Sequence, residues 1–181
     1  MKLNKLKPFS IVFTSLKLGK HDFEYNIDKS FFDEFDYSPV KLGALKVNLS
    51  FNKQETLFVL DFKITGTVSL TCDRCTDDFD YPMETEERLI FKLGEEEFEQ
   101  SDEVVVLAIH EHQINVANYI YEFIILSVPF VHIHADLPNG NPGCNKETLA
   151  ILSKLSVEKS ADQPNEAIDP RWEALKKLTG K

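Results

Sequence analysis

Ser69-Leu70-Thr71-Cys72-Asp73-Arg74-Cys75-Thr76-Asp77-Asp78-Phe79 carries two of the chain's three cysteines, spaced so that both sulfurs can face one point. An alternating apolar run, Phe58, Leu60, Phe62, Ile64, Gly66, Val68 and Leu70, leads into it, and Phe79, Tyr81, Leu89, Phe91 and Leu93 lead away. Alternation with period two marks a half-buried strand, so the cysteines are predicted at a strand end or hairpin tip. A redox pair of the thioredoxin kind needs its first cysteine at a helix N-terminus in a βαβ setting, and strand patterns on both sides remove that setting. Two thiolates from one tight turn supply two corners of a tetrahedron, about 2.3 Å from a zinc ion. The plain alternative is a pair of reduced cysteines with no ligand role.

Outward from the hairpin, more strand patterns appear. Val47, Leu49 and Phe51 alternate up to the polar turn Asn52-Lys53-Gln54-Glu55. Phe9, Ile11 and Phe13, then Phe23, Tyr25 and Ile27, alternate on either side of Gly19-Lys20 and predict two antiparallel strands. Asp28 is placed to cap a short helix through Phe31, Phe32 and Phe35, closed by Ser38-Pro39. Val104 to Ile109 is a compact β-branched run. Asn115 then caps a helix in which Val116, Ile120, Phe123, Ile124 and Val128 recur at helical spacing, and Pro129 ends it. The expected fold class is α+β, with about four to seven strands in a meander. They form an antiparallel sheet or partly open β-barrel with one long packed helix, and a C-terminal helix follows on a mobile linker.

With 181 residues and 43% hydrophobic content, the chain is long enough for one sizeable core and short for two. One α+β domain is expected over residues 1–152. Residues 153–168 are too poor in large apolar groups to offset the entropy of ordering and are expected to be a mobile linker. Residues 169–181 are expected to hold a docking helix: Asp169 caps it, Pro170 suits its first position, and Lys176 and Lys177 fall in its last turn. Its apolar stripe of Trp172, Leu175 and Leu178 needs a surface, because a helix this short is marginal alone in water. The linker favours a partner's surface over this domain's own.

A formal charge of −10 argues against RNA binding by the whole surface. The distribution is uneven, however. Met1 to Lys20 has five lysines and no acid, whereas Glu84 to Glu103 has nine acids against Arg88 and Lys92. A direct RNA contact would therefore run through the N-terminal lysines with Arg74, Arg171, Lys176 and Lys177; docking to a basic protein suits the acidic body. No run of eighteen apolar residues occurs, and charges stand where a signal peptide has its apolar core, so a soluble, cytoplasmic protein without membrane contact is expected. The odd cysteine count fits a reducing compartment.

The third cysteine lies in His132-Ile133-His134-Ala135-Asp136-Leu137-Pro138-Asn139-Gly140-Asn141-Pro142-Gly143-Cys144-Asn145, an irregular loop just past the packed helix. Cys72, Cys75, Cys144 and one of His132 or His134 would make a Cys₃His site, the alternative being three reduced cysteines without metal. His132-x-His134-x-Asp136 also resembles the opening of a metallo-β-lactamase-type hydrolase motif, which continues Asp-His where this chain has Asp136-Leu137. With His110-x-His112 it supports a second reading, a small metallohydrolase. That reading lacks histidines after His134 and a nameable acid/base partner, so a non-enzymatic role is expected.

Leu70-Thr71-Cys72-Asp73-Arg74-Cys75, Leu126-Ser127-Val128-Pro129 closing a helix, a Cys-bearing loop, and Asp169-Pro170-Arg171-Trp172-Glu173-Ala174-Leu175-Lys176-Lys177-Leu178 together resemble the YceD-type family of large ribosomal RNA subunit accumulation proteins. The resemblance implies a non-enzymatic ribosome-biogenesis role in accumulating large-subunit ribosomal RNA. The implied partner is the large-subunit precursor, met through rRNA or a basic ribosomal protein. Many members carry Gly-Leu-Cys-x-x-Cys-Gly where this chain has Gly143-Cys144-Asn145, which leaves His134 as the substitute fourth ligand of a structural zinc.

Overall fold

In the computed structural model, which describes residues 6–94, 104–138 and 140–156, the cysteine hairpin is the centre of an open five-stranded sheet. Chain order is β1 (Ser10–Ile11), β2 (Gly19–Ile27), α1 (Lys29–Phe32), β3 (Gly43–Lys53), β4 (Leu57–Thr71), β5 (Asp78–Gly94), β6 (Val104–Ala108), β7 (Ile114–Asn115), α2 (Ala117–Ser127) and α3 (Lys146–Leu155). The sheet runs β2-β3-β4-β5-β6, and β1 pairs with β7 in a separate two-stranded ribbon. The fold is α+β, and the sheet does not close into a barrel.

β4 and β5 pair antiparallel from Leu57↔Lys92 to Thr71↔Asp78, which brings their far ends together around Cys72 and Cys75. Their apolar residues alternate as the sequence predicts. Phe58, Leu60, Phe62, Ile64, Val68 and Leu70 are all buried on one face, and their polar neighbours point to the other. α2 covers that apolar face: Ile120 and Ile124 are fully buried, while Phe123 meets Phe62 and Tyr119 meets Phe91 edge-on. Burial of each isoleucine contributes roughly 1.5–3 kcal/mol. The helix is entered through Val116 rather than capped at Asn115; Asn115, the last residue of β7, accepts at Oδ1 from the Ala117 N–H at 2.9 Å, and the chain turns out of the helix at Val128, before Pro129.

Asp28 caps α1 as expected, its carboxylate accepting from the Ser30 N–H at 2.8 Å. Asp28→Ala is expected to cost about 1 kcal/mol and to lower the melting temperature by roughly 2–4 °C, readable in a thermal melt.

Two elements depart from the alternation pattern. Phe9, Ile11 and Phe13 are buried, but only Ser10–Ile11 is strand; Phe9 and Phe13 lie in 3₁₀ turns at Lys7–Phe9 and Phe13–Ser15. Alternation reports which side chains are buried and not where the backbone bonds go. Here the Lys53 ammonium donates to the Phe13 and Leu16 carbonyls at 2.8 and 2.9 Å. The second departure is β6, which pairs with β5 in parallel, Ile90↔Val104 to Gly94↔Ala108, although the other ladders among the described residues are antiparallel.

The chain falls into two units, Met1–Asn145 and Lys146–Lys181. In the second, α3 has Glu147 in its first turn and Lys154 in its last, favourable to the helix dipole at both ends. It includes Ser153, Lys154 and Leu155, the first residues of the expected linker. The rest of that linker, from residue 157, and the expected docking helix lie outside the described residues. No helix among the described residues is long and apolar enough to cross a membrane.

Candidate metal centre

At the hairpin tip the backbone folds tightly enough to aim both thiols inward. The Cys72 N–H donates to the Asp77 carbonyl and the Thr76 N–H to the Cys72 carbonyl, each at 2.9 Å. The Arg74 N–H donates to Cys72 Sγ at 3.4 Å. Thr76 closes the turn in the left-handed region, φ 64°.

The loop after α2 is zipped to this turn through Asp73. Its N–H donates to the His132 carbonyl at 2.9 Å, and its carboxylate accepts from the His132 N–H at 2.8 Å. His134, two residues on, is thereby carried to the sulfurs, with its ring against Phe79 at 4.7 Å between centroids. Asn145 ties down the other end, its Nδ2 donating to Asp77 at 3.1 Å. Gly143 packs so close to the His134–Ala135 backbone that a Cβ there would overlap the Ala135 carbonyl oxygen.

Cys72, Cys75, His134 and Cys144 consequently converge, all four donor atoms lying within 4.8 Å of one another. Cys72 Sγ and Cys144 Sγ are 3.8 Å apart, and Cys75 Sγ is 3.4 Å from His134 Nδ1. A tetrahedral zinc with Zn–S of about 2.3 Å and Zn–N of about 2.0 Å has S···S edges of about 3.8 Å and S···N edges of about 3.5 Å. Those two edges match a tetrahedral ion, and the group as a whole is compact enough that it could hold a metal. All three cysteines are buried and free of disulfides. Burial by itself raises the Cys72 thiol, but donation from the Cys75, Arg74 and His134 backbone and from the His134 ring outweighs it and brings the pKa to about 5. Burial pushes the Cys144 thiol up, and contact with the other two sulfurs pushes it further.

His132, the other histidine the spacing allows, is outside this group; its backbone brackets Asp73, and its ring Nε2 lies 3.7 Å from the Asp73 carboxylate. His110 and His112 are exposed beyond β6 and join no cluster of three ligating side chains among the described residues. Arg74 is exposed at the hairpin tip. Asp169, Pro170, Arg171, Trp172, Leu175, Lys176, Lys177 and Leu178 lie outside the described residues.

The family model described as large ribosomal RNA subunit accumulation protein YceD matches residues 60–179, from β4 through both halves of the cysteine cluster. The chain belongs to that family. No curated protein matches the chain, and no solved structure does. The YceD family is named for large-subunit ribosomal RNA accumulation and not for an enzymatic reaction.

Asp73 and Gly143 were missed by sequence reasoning as parts of the site. Each lies beside a cysteine, where a polar residue that can bracket a neighbouring loop, or a residue without a Cβ, is what close backbone approach requires. Gly143→Ala is expected to push the Cys144 loop off His134 and to weaken zinc retention by roughly 10–100-fold, the range found when residues supporting a ligand are changed. Competition with a chromogenic chelator measures it.

Proposed function

We propose that this YceD-family chain is a non-enzymatic ribosome-biogenesis factor that supports accumulation of large-subunit ribosomal RNA by binding rRNA or a ribosomal protein. The observation that carries this reading is the family match over residues 60–179. Cys72, Cys75, Cys144 and His134 would hold a structural zinc, supported by the tetrahedral spacing of their donor atoms. Such an ion is closed by four protein ligands and keeps no open position for substrate. Its contribution is to hold the hairpin tip and the post-helix loop together, so that exposed Arg74 is presented on a rigid turn.

In this reading the hairpin domain is the body, and the segment with Asp169, Pro170, Arg171, Trp172, Leu175, Lys176, Lys177 and Leu178 is the partner-binding end, joined by a tether and acting in the cytoplasm. The metallohydrolase alternative is disfavoured because His134 stands with the three cysteines and not with His110 and His112.

Deletion of the gene tests the reading. The ratio of mature large-subunit to small-subunit rRNA is expected to fall and to recover on complementation with the wild-type chain. An unchanged ratio would sink it.

A further inference from the structure

β2 is an edge strand: it pairs with β3 over all nine residues, from Gly19↔Lys53 to Ile27↔Leu45, and with no other strand among the described residues. A long, regular edge is a template for further pairing, and proteins commonly blunt one with a proline, a bulge or a cover. β2 has no proline, and its register with β3 is unbroken.

The side chains along this edge differ between its two faces. On the face that looks toward α2, Phe23 and Tyr25 are only partly buried, leaving apolar surface at the rim of the core. On the opposite face, Asp22 and Glu24 are exposed. They border a hollow of about 870 Å³ that crosses β2, β3, β4 and β5 on two cross-strand rows, Asp22-Ser50-Asp61-Arg88 and Glu24-Asn48-Lys63-Glu86. The acids on these rows are Asp22, Glu24, Asp61 and Glu86; Lys63 and Arg88 already pair with Glu86 and Asp61, and Lys46 on β3 pairs with Glu24.

We infer that the β2 edge is a docking site for an extended protein segment that alternates lysine or arginine with apolar residues and adds to the sheet as a sixth strand. Main-chain hydrogen bonds to β2 supply the affinity in this mode, and alternate side chains supply the specificity. The partner's apolar residues cover Phe23 and Tyr25, and its basic residues fall beside Asp22 and Glu24 and reach the acidic hollow. A second copy of this chain is the wrong occupant. Full-length antiparallel self-pairing of β2 places Asp22 opposite Glu24 of the other copy and Glu24 opposite its Asp22, and like charges directly opposite destabilise a ladder. Nucleic acid is disfavoured by the same acids. This deepens the ribosome-assembly reading by naming a basic protein strand as the partner class, and it rests on that reading for where such a strand is met.

The test uses the full-length, isotope-labelled protein as purified and two nine-residue probes, one alternating lysine with valine and one alternating glutamate with valine. The lysine peptide is expected to shift the amide signals of residues 19–27 and to slow their hydrogen exchange, while the glutamate peptide leaves them unmoved. In the Asp22→Lys/Glu24→Lys variant, affinity for the lysine peptide is expected to fall about tenfold or more, as two attractive cross-strand pairs become repulsive. Both positions are exposed, and the ion pair lost among the described residues, Glu24 with Lys46, is a surface pair of little weight. If that variant misfolds, the exchange map of the wild type decides alone. The inference is overturned by no binding of the lysine peptide, by shifts confined to other elements, by undiminished affinity in the variant, by self-association through β2, or by an RNA oligonucleotide moving the same signals. Peptide docking on β2 with a normal rRNA ratio in the deletion strain would remove the ribosomal reading and leave the surface standing. A lowered ratio with β2 untouched by peptide would do the reverse.

Discussion

Cys72→Ser is expected to lower bound zinc from one ion per chain to none and to reduce stability more than any conservative surface change. Cys72 is buried, and its sulfur forms the 3.8 Å edge with Cys144 while accepting from the Arg74 N–H. Serine fills nearly the same volume, so the effect isolates ligation from packing. An ion bound only by the folded chain stabilises it by about 4 kcal/mol when free metal is a thousandfold above the dissociation constant. A loss of that size lowers the melting temperature by roughly 8–16 °C. Elemental analysis of tag-free protein and a thermal melt read both quantities. Zinc retained at one per chain, or a melt that does not move, would contradict the site.

Gly66→Ala is expected to have an effect of similar size by a different route, and to leave metal content unchanged. Gly66 sits inside β4 at φ +145°, a conformation that side chains rarely adopt. A Cβ there would overlap the Ala44 carbonyl oxygen and come within 2.8 Å of Leu45 Cα. Neither neighbour can yield easily, because Gly66 is held in register against Leu45 on one side and Met83 on the other. Backbone strain of about 1–3 kcal/mol and overpacking of about 1–3 kcal/mol together predict a loss of roughly 2–6 kcal/mol. Chemical denaturation measures it; a loss below about 1 kcal/mol would show that β3 and β4 can part at this point, contrary to their pairing.

Those two positions also show what the sequence makes legible. The run from Phe58 to Leu70 was readable because every second residue is apolar, and the same period places Gly66 on the buried face without showing that β3 touches it there. Cys72-x-x-Cys75 was readable as half a ligand set from spacing alone. Its partners were not readable to the same degree, since Cys144 and His134 arrive through the Asp73–His132 clasp, a contact between loops 59 residues apart in sequence. Composition could not choose between His132 and His134; the resemblance favoured His134, and the fold brings His134, not His132, beside the three sulfurs. The parallel pairing of β6 was illegible for a related reason. A β-branched run announces a strand but not its direction, which depends on the path of the intervening chain. α3 went unread although Leu149, Ile151, Leu152 and Leu155 stand among its ten residues, because it lies between an irregular loop and a polar stretch.

The reading as a large-subunit assembly factor is tested most directly by sedimenting a lysate of the native host on a sucrose gradient and locating the chain with and without prior nuclease treatment. The chain is expected to travel with large-subunit precursor particles. Its release by nuclease would identify rRNA as the contact, and its persistence on a ribosomal protein would identify the basic partner. Migration only as free protein, away from every large-subunit particle, would contradict the account.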